Sequence, residues 1–318
     1  MTTADNLIVR VQARDSTGHA KAPERATAPD VRGALARGIE RLEAGHVPSA
    51  ALAAELLLMH VLGRDRAWLY AHPEHALTSD DLSRYDEMIE RRAQGVPVQY
   101  LTGRQEFWGL DFEVNPSVLI PRPETEHLIE VALERMAARR LEPLRVADVG
   151  TGSGCIAVAL ARELPQARIV ATDVSAAALE VARRNAARHG VAERIEFAQM
   201  NWLESYLSTA GAEAAQFDLI VSNPPYIGRA EAGELPREVR DHEPAQALFC
   251  GPAGFDAYPP LMAQAAKLLG HGGVFVVELG YGSAEHVRSL MAAQPGWAHV
   301  SITNDLAGIP RVLAADRI

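Results

Sequence analysis

The residues best suited to chemistry are Asn223-Pro224-Pro225-Tyr226, which follow directly on the apolar run Phe217-Asp218-Leu219-Ile220-Val221-Ser222. Neither proline can donate an N–H to a strand ladder and each fixes its own φ, so a buried strand must end there in a rigid turn. At the carboxyl edge of a sheet, where open α/β folds bind ligands, the turn presents an amide side chain, carbonyls with no N–H beside them and an aromatic ring. Such a set can grip a planar group bearing an NH2, a base and an amide being equally admissible. The plainer alternative is a stiff turn without chemistry.

A second set lies upstream. Asp148-Val149-Gly150-Thr151-Gly152-Ser153-Gly154 follows one strand and opens a helix. Its glycines are more tightly spaced than in the dinucleotide fingerprint, which sets a pyrophosphate on the helix N-terminus. The tighter loop brings backbone close to a ligand, with Asp148 as an acceptor for a cationic amine, and suits a nucleoside with a charged tail. About 20 residues further on, Ile169-Val170-Ala171-Thr172-Asp173 ends the next strand in a carboxylate able to take both hydroxyls of a ribose. NAD and S-adenosylmethionine both fit that acid. Trp202 falls where the loop after the third strand borders an adenine, or else is an ordinary hydrophobic anchor.

The elements that must position these groups follow from periodicity. Strand 144–149, helix 154–163, strand 168–172, helix 175–189, strand 194–198, a loop, strand 217–222, a helix near 258–269 and strand Val274–Leu279 alternate along the chain. A last pair near 298–303 and 310–315 is close enough to form an antiparallel end. This predicts an α/β fold with a doubly wound, mostly parallel sheet. Ahead of it, Val31, Leu35, Ile39 and Leu42 recur at helical spacing, and Ser49 is placed to cap a second helix, Ala50 to Leu62, stopped at Gly63. Thr78-Ser79-Asp80-Asp81 opens a third helix, ended by Gly95 and Pro97. Residues 98–120, with turn signals at Gly103, Gly109 and Asn115-Pro116, predict a β-hairpin linker. The expected division is a disordered tail over 1–29, a helical domain over 30–97, the linker over 98–120 and a ligand-binding domain over 121–318. Where that last part begins, Pro121-Arg122-Pro123-Glu124-Thr125-Glu126 precedes a helix, His127 to Arg139. A proline-stiffened stretch with an arginine and two carboxylates suits a lid; a plain helix start is the equal alternative. Arg122 and Glu124 are the candidate lid or substrate contacts, and His242 with Glu243 is expected to be a solvated loop pair.

Composition bounds the rest. At 318 residues, 48% hydrophobic and 23% charged, the chain suits a soluble protein of two unequal domains. No stretch is apolar enough for a membrane span, and no secretory signal opens it, so a cytoplasmic protein is expected. A net charge of -10 argues against sequence-independent attachment to nucleic acid. Cys155 and Cys250 stand far apart without metal-ligand spacing, so neither a disulfide framework nor a metal site is expected.

Together, DVGTGSG, the acid of IVATD and NPPY resemble a class I S-adenosylmethionine-dependent methyltransferase, with its Rossmann-like sheet and antiparallel C-terminal strand. The run QYLTGRQEFWGLDFEVNPSVLIPRPETEHLIE, then SNPPYI, RDHEPAQAL and DLAGIPRVL closely resemble the bacterial release-factor glutamine methyltransferase family, HemK/PrmC, over about residues 30 to 318. The resemblance implies N5-methylation of the glutamine in the Gly-Gly-Gln motif of peptide-chain release factors, yielding S-adenosylhomocysteine without a metal or direct nucleic-acid contact. It implies that Gly150, Thr151, Gly152, Ser153, Gly154, Asp173 and Trp202 hold the cofactor, near Asp148 and Asn223. The glutamine would lie on Asn223, Pro224, Pro225 and Tyr226, with the Asn223 side-chain oxygen and the Pro224 carbonyl accepting its two N–H bonds. The helical domain would help dock the release factor, and a monomer is expected.

Two departures stand out. Asn201 occupies a place where many relatives have Asp, and Phe249-Cys250-Gly251-Pro252-Ala253-Gly254 replaces a usual Gly-Gly-x-x-Gly pattern. The competing readings are a ribosomal-protein glutamine methyltransferase, an adenine-N6 nucleic-acid methyltransferase and a non-catalytic ribosome-associated module.

Overall fold

A computed structural model of the protein describes residues 29–208 and 217–318. The expected tail over 1–29 lies outside the described residues except for Pro29, whose carbonyl accepts the Leu77 N–H at 3.0 Å. The front of the chain forms helices α1 (Val31–Ala44), α2 (Ala50–Leu62), α3 (Arg66–Ala71), α4 (Ser79–Ala93) and α5 (Val98–Thr102). Asp30, Asp65 and Thr78 cap three of them by accepting a backbone N–H in the first turn. Ser49 precedes α2 but does not cap it. Its φ of 52° is left-handed and its side chain makes no cap bond, so α2 is held by burial of Ala53, Ala54, Leu57 and Leu58 instead. Those leucines share one hydrophobic core with Leu42, Tyr85 and Ile89.

Residues 98–120 are not one hairpin. Pro97 cannot extend the preceding structure and sets up a short helix, α5, which Gly103 stops at φ 72°. The hairpin is confined to β1 (Arg104–Phe107) and β2 (Leu110–Glu113), joined through Gly109 at φ 67°. A 3-10 turn over Pro123–Thr125 then feeds α6 (Glu126–Arg135).

The remaining elements are β3 (Arg145–Val149), α7 (Cys155–Glu163), β4 (Arg168–Asp173), α8 (Ala176–Arg188), β5 (Ile195–Gln199), α9 (Glu204–Ser208) and β6 (Phe217–Ser222). After them come α10 (Arg237–His242), α11 (Ala245–Leu248), α12 (Tyr258–Leu268), β7 (Leu269–Glu278), α13 (Ala284–Ala292), β8 (Trp297–Asn304) and β9 (Pro310–Arg317). The seven strands run in the order β5-β4-β3-β6-β7-β9-β8, parallel except for β9, which pairs antiparallel with both neighbours. This is a doubly wound, mostly parallel α/β sheet. Separate clusters cover its faces, one around Val146, Leu160 and Leu219, the other around Ile220, Leu261 and Phe275. Burial on both faces explains the unbroken apolar strands.

Helices α3, α9, α10, α11 and α13 were not anticipated from sequence. Four of them have six residues or fewer, and Pro236 and Pro244, which read as loop signals, are the N-caps of α10 and α11. Strand β7 also starts earlier than its pattern suggests, because Gly270, Gly272 and Gly273 carry no side chain to show alternation. Among the described residues no helix is long and apolar enough to cross a membrane.

Strand order reverses at β3. Val149 pairs with Thr172 of β4 on one side and with Ser222 of β6 on the other, so the loops leaving all three strands start at one level. Two buried acids sit at this edge. Burial lifts Asp148 from 3.8 to about 7, against its bonds from Thr151 and Ala157, and lifts Glu278 from 4.5 to about 7, against Thr125 and Tyr226.

Two consequences are testable. Gly154 opens α7 at φ 81°, and a Cβ there would lie 3.0 Å from the Ala182 Cβ, so Gly154→Ala should cost about 1–3 kcal/mol. Denaturant unfolding at unchanged m-value measures this, and a loss under about 0.5 kcal/mol would refute the packing account. For the acids, the folded pKa exceeds the unfolded one. Their contribution is therefore complete below about pH 4 and is lost as pH rises through about 7. Asp148→Asn should remove part of the fall in stability between pH 5 and 8, on the order of 2–4 kcal/mol, as read from paired melting curves. Parallel curves for the variant and the parent would contradict it.

Candidate active site

The loops leaving β3, β4, β5 and β6 meet residues 117–119 and 244–247 beyond the carboxyl ends of the strands. They enclose a cavity of about 240 Å³, whose lining includes Gly150, Gly152, Asp173, Asn201, Trp202 and Asn223. Gly152 lies at φ 54°, and a Cβ there would meet no protein atom within 4 Å, so the glycine leaves that volume open. The Asp173 carboxylate accepts Gly152 N at 2.9 Å on one oxygen and Ser175 N at 2.8 Å on the other. Burial raises its pKa, and the backbone bonds from Ser175, Gly152 and Val174 pull it down. Each oxygen retains acceptor capacity for a hydroxyl. Asn201 Nδ2 donates to Glu204 Oε1 at 2.6 Å, which leaves its Oδ1 as an acceptor beside Trp202.

Not every residue expected at this cavity lines it. Asp148 is fully buried under the loop, where its Oδ2 takes Thr151 Oγ1 at 2.6 Å and Ala157 N at 3.1 Å. It shapes the loop rather than presenting a carboxylate to the cavity, because the chain folds over it to start α7. Thr151 and Ser153 are buried too: one holds Asp148, and the carbonyl of the other takes Asn185 Nδ2 at 2.9 Å. Gly154 seats against α8, while Pro225, expected against the substrate, lines this larger cavity.

A smaller cavity of about 80 Å³ adjoins it, lined by Arg122, Asn223, Pro224, Tyr226, Ile227 and Leu248 among others. Asn223 is thus a wall of both. Its Nδ2 donates to Thr125 Oγ1 at 3.0 Å, leaving Oδ1 available as an acceptor. The Tyr226 hydroxyl donates to Glu278 Oε1 at 3.1 Å, and burial holds the phenol well above its usual pKa. The altered 249–254 loop backs this turn: Cys250 N donates to Ile227 O at 2.9 Å, and a Cβ on Gly254 would stand 2.2 Å from Tyr226 O. Its unusual sequence keeps glycine where the backbone leaves no room for a side chain.

Arg122 lines the smaller cavity, but Glu124 lines neither and is exposed, since the 3-10 turn points it outward. Glu243 is not a solvated partner of His242. It is 6% exposed, pairs with Arg122 and accepts Ile120 N at 3.1 Å, so it pins the stretch before the turn. Thr125 and Glu278 matter here without any role expected of them from sequence. Only Glu278 carried a signal, a carboxylate within the apolar run Val274–Leu279.

Residues 33–103 match the model of the PrmC N-terminal domain, and residues 128–235 that of the methyltransferase small domain. The release factor glutamine methyltransferase of Koribacter versatilis is 49% identical over 275 residues, 86% of this chain and 94% of that protein. Its counterpart from Chlorobaculum tepidum is 47% identical over 266 residues, 83% of this chain and 89% of that one. Among solved structures, the hMettl16 catalytic domain in complex with a MAT2A 3′UTR hairpin superposes at a TM-score of 0.52 with 15% identity, covering 77% of this chain and 83% of that one. That likeness concerns the fold alone. Near-full-length identity approaching one half, with both family models matched in order, places this chain in the release factor glutamine methyltransferase family.

Proposed function

We propose that this enzyme transfers a methyl group from S-adenosylmethionine to the side-chain nitrogen of the glutamine in the Gly-Gly-Gln motif of peptide-chain release factors. The observation that carries the reading is Asn223, a wall common to a larger cavity suited to a nucleoside and a smaller one suited to a planar amide. The names of the relatives supply the substrate.

In the larger cavity, Asp173 offers two oxygens to the ribose hydroxyls, and Gly150 and Gly152 admit close approach of backbone. Trp202 borders the adenine. Asn201, with its Nδ2 committed to Glu204, presents Oδ1 to the adenine amino group and so serves in place of the aspartate of relatives. When bound, S-adenosylmethionine supplies an electrophilic methyl: the glutamine nitrogen forms the new N–C bond, the C–S electron pair stays on sulfur to leave S-adenosylhomocysteine, and the nitrogen gives up one proton to water.

An amide nitrogen is a poor nucleophile because its lone pair is delocalised into the carbonyl. The enzyme must favour loss of that delocalisation. Asn223 Oδ1 and the Pro224 carbonyl accept the two N–H bonds and stabilise positive charge growing on nitrogen, the inverse of an oxyanion hole. Tyr226 packs on the amide plane, and in-line placement across Asn223 supplies the orientation. Arg122, fixed by Glu243, borders the same cavity and is a substrate contact. The helical front part helps dock the release factor, an assignment supported by its tie to the loop beside the site, where Arg92 pairs with Glu238 of α10 at 2.5 Å. Release factors act in translation, so we assign the enzyme to the cytoplasm.

Asn223→Ala should lower kcat by roughly 10²–10³-fold while the affinity for S-adenosylmethionine stays within a few-fold. Labelled cofactor should mark the Gly-Gly-Gln glutamine by mass spectrometry and leave a release factor lacking that glutamine unmarked. Near-normal turnover of the variant, or label elsewhere, would refute the assignment.

A further inference from the structure

Behind the amide grip stands a buried carboxylate that the mechanism above leaves unused. Glu278 ends β7 with 1% exposure and accepts the Tyr226 hydroxyl on Oε1 at 3.1 Å. Its Oε2 is buried without a hydrogen-bond partner, and the Thr125 hydroxyl is the neighbouring group that most favours the ionised form. Thr125 Oγ1 in turn accepts Asn223 Nδ2 at 3.0 Å. One carboxylate therefore stands behind both ends of the Asn223–Tyr226 turn, through Thr125 on one side and directly on the other.

The direction of these bonds decides the chemistry. A hydroxyl has one proton to give, while an ionised carboxylate has none. If Thr125 turns its proton to Glu278, its lone pair faces Asn223, which must answer with NH2 and keep Oδ1 away from Thr125. Without an acceptor behind it, Thr125 can donate to Asn223 Oδ1 instead. The amide then turns over, and a ligand meets a donor where an acceptor is needed. The two orientations have nearly the same shape, so packing does not choose between them and hydrogen-bond direction does. Around Glu278, burial opposes ionisation most and lifts the group to about 7, Arg311 favours the ionised carboxylate and Glu124 opposes it, so the ionised acceptor prevails above that pH; the Tyr258 hydroxyl is occupied with the Glu278 backbone carbonyl at 3.2 Å. On the Tyr226 side the ring rests on Gly280, where a Cβ would lie 3.0 Å from its Cδ2. Hydroxyl anchor and glycine seat together fix the ring plane.

We propose that Glu278 is a positioning residue for methyl transfer: it receives the Tyr226 hydroxyl and offers its unpartnered Oε2 to the Thr125 proton, and so keeps the Tyr226 ring and the Asn223 oxygen turned to the substrate amide. This rests on the gripping role assigned to Asn223. Glu278→Gln keeps the shape but offers one acceptor oxygen to two hydroxyls and adds a donor.

The test compares the full-length protein with Glu278→Gln, Thr125→Val, Thr125→Ser and the Glu278→Gln/Thr125→Val double variant, using labelled S-adenosylmethionine and a release factor. Glu278→Gln and Thr125→Val should each lower kcat by about 10- to 100-fold, with KM for the release factor and cofactor affinity within about threefold. Thr125→Ser should stay near the parent, and the double variant should be no worse than its worse single, as expected of groups acting through one another. Glu278→Gln within twofold of the parent in kcat, multiplicative losses in the double variant, or equal impairment of Thr125→Ser and Thr125→Val would each overturn the proposal. If Glu278→Gln fails to fold, the Thr125 pair decides alone, with an active serine and a crippled valine supporting it and equal rates refuting it. A parent enzyme that leaves the glutamine unlabelled sinks the functional reading itself; a labelling parent with unaffected variants sinks only this inference.

Discussion

Everything at the site depends on the register of one parallel pairing. Val149 lies opposite Ser222, so β3 and β6 end together and release the glycine loop and the double-proline turn side by side. A Cβ on Gly150 would stand 4.0 Å from the Asn223 carbonyl oxygen, which shows how closely the two backbones run. A slip of one residue in a strand reverses which side chains face which cover, and both faces here are packed. The register is thus held by the same burial that holds the fold, and the site inherits its accuracy from the core.

The rigidity of the turn has a second source, in buried polar groups that touch no cavity. Asp148 folds the glycine loop over itself, Glu243 pins Arg122 and the Ile120 backbone, and Glu278 receives Tyr226. Each is costly to bury unless its bonds are satisfied. For Asp148 and Glu278 that cost appears as carboxyls lifted to about 7. They remain because each fixes a backbone or side-chain direction that apolar packing leaves undetermined.

The stretch after the turn is organised by the same logic. Arg92 of the helical front reaches Glu238, while Glu243, a few residues on, holds the stretch before the 3-10 turn. Helices α10 and α11 are therefore clasped from two sides beside the smaller cavity. Gly254, pressed against the Tyr226 carbonyl, shows why the unusual 249–254 loop still ends in glycine.

Much of this was legible from the chain alone. Alternating apolar runs announced the sheet, because strands buried on both faces must be apolar throughout. The spacing of Gly150, Gly152 and Gly154, the acid at Asp173 and the turn at Asn223 named the groups that chemistry needs, since glycine, carboxylate and proline each carry their conformational meaning in their covalent structure. The family resemblance supplied the glutamine. What the sequence left open was direction and partnership. Asp148 is turned to the loop by Thr151 and Ala157 close by, but whether Glu243 is solvated or buried and what stands behind Asn223 and Tyr226 depend on residues 52 to 123 positions away. Such contacts leave no local periodicity. Only the packed sheet, by bringing Thr125, Asn223, Tyr226 and Glu278 to one edge, decided them.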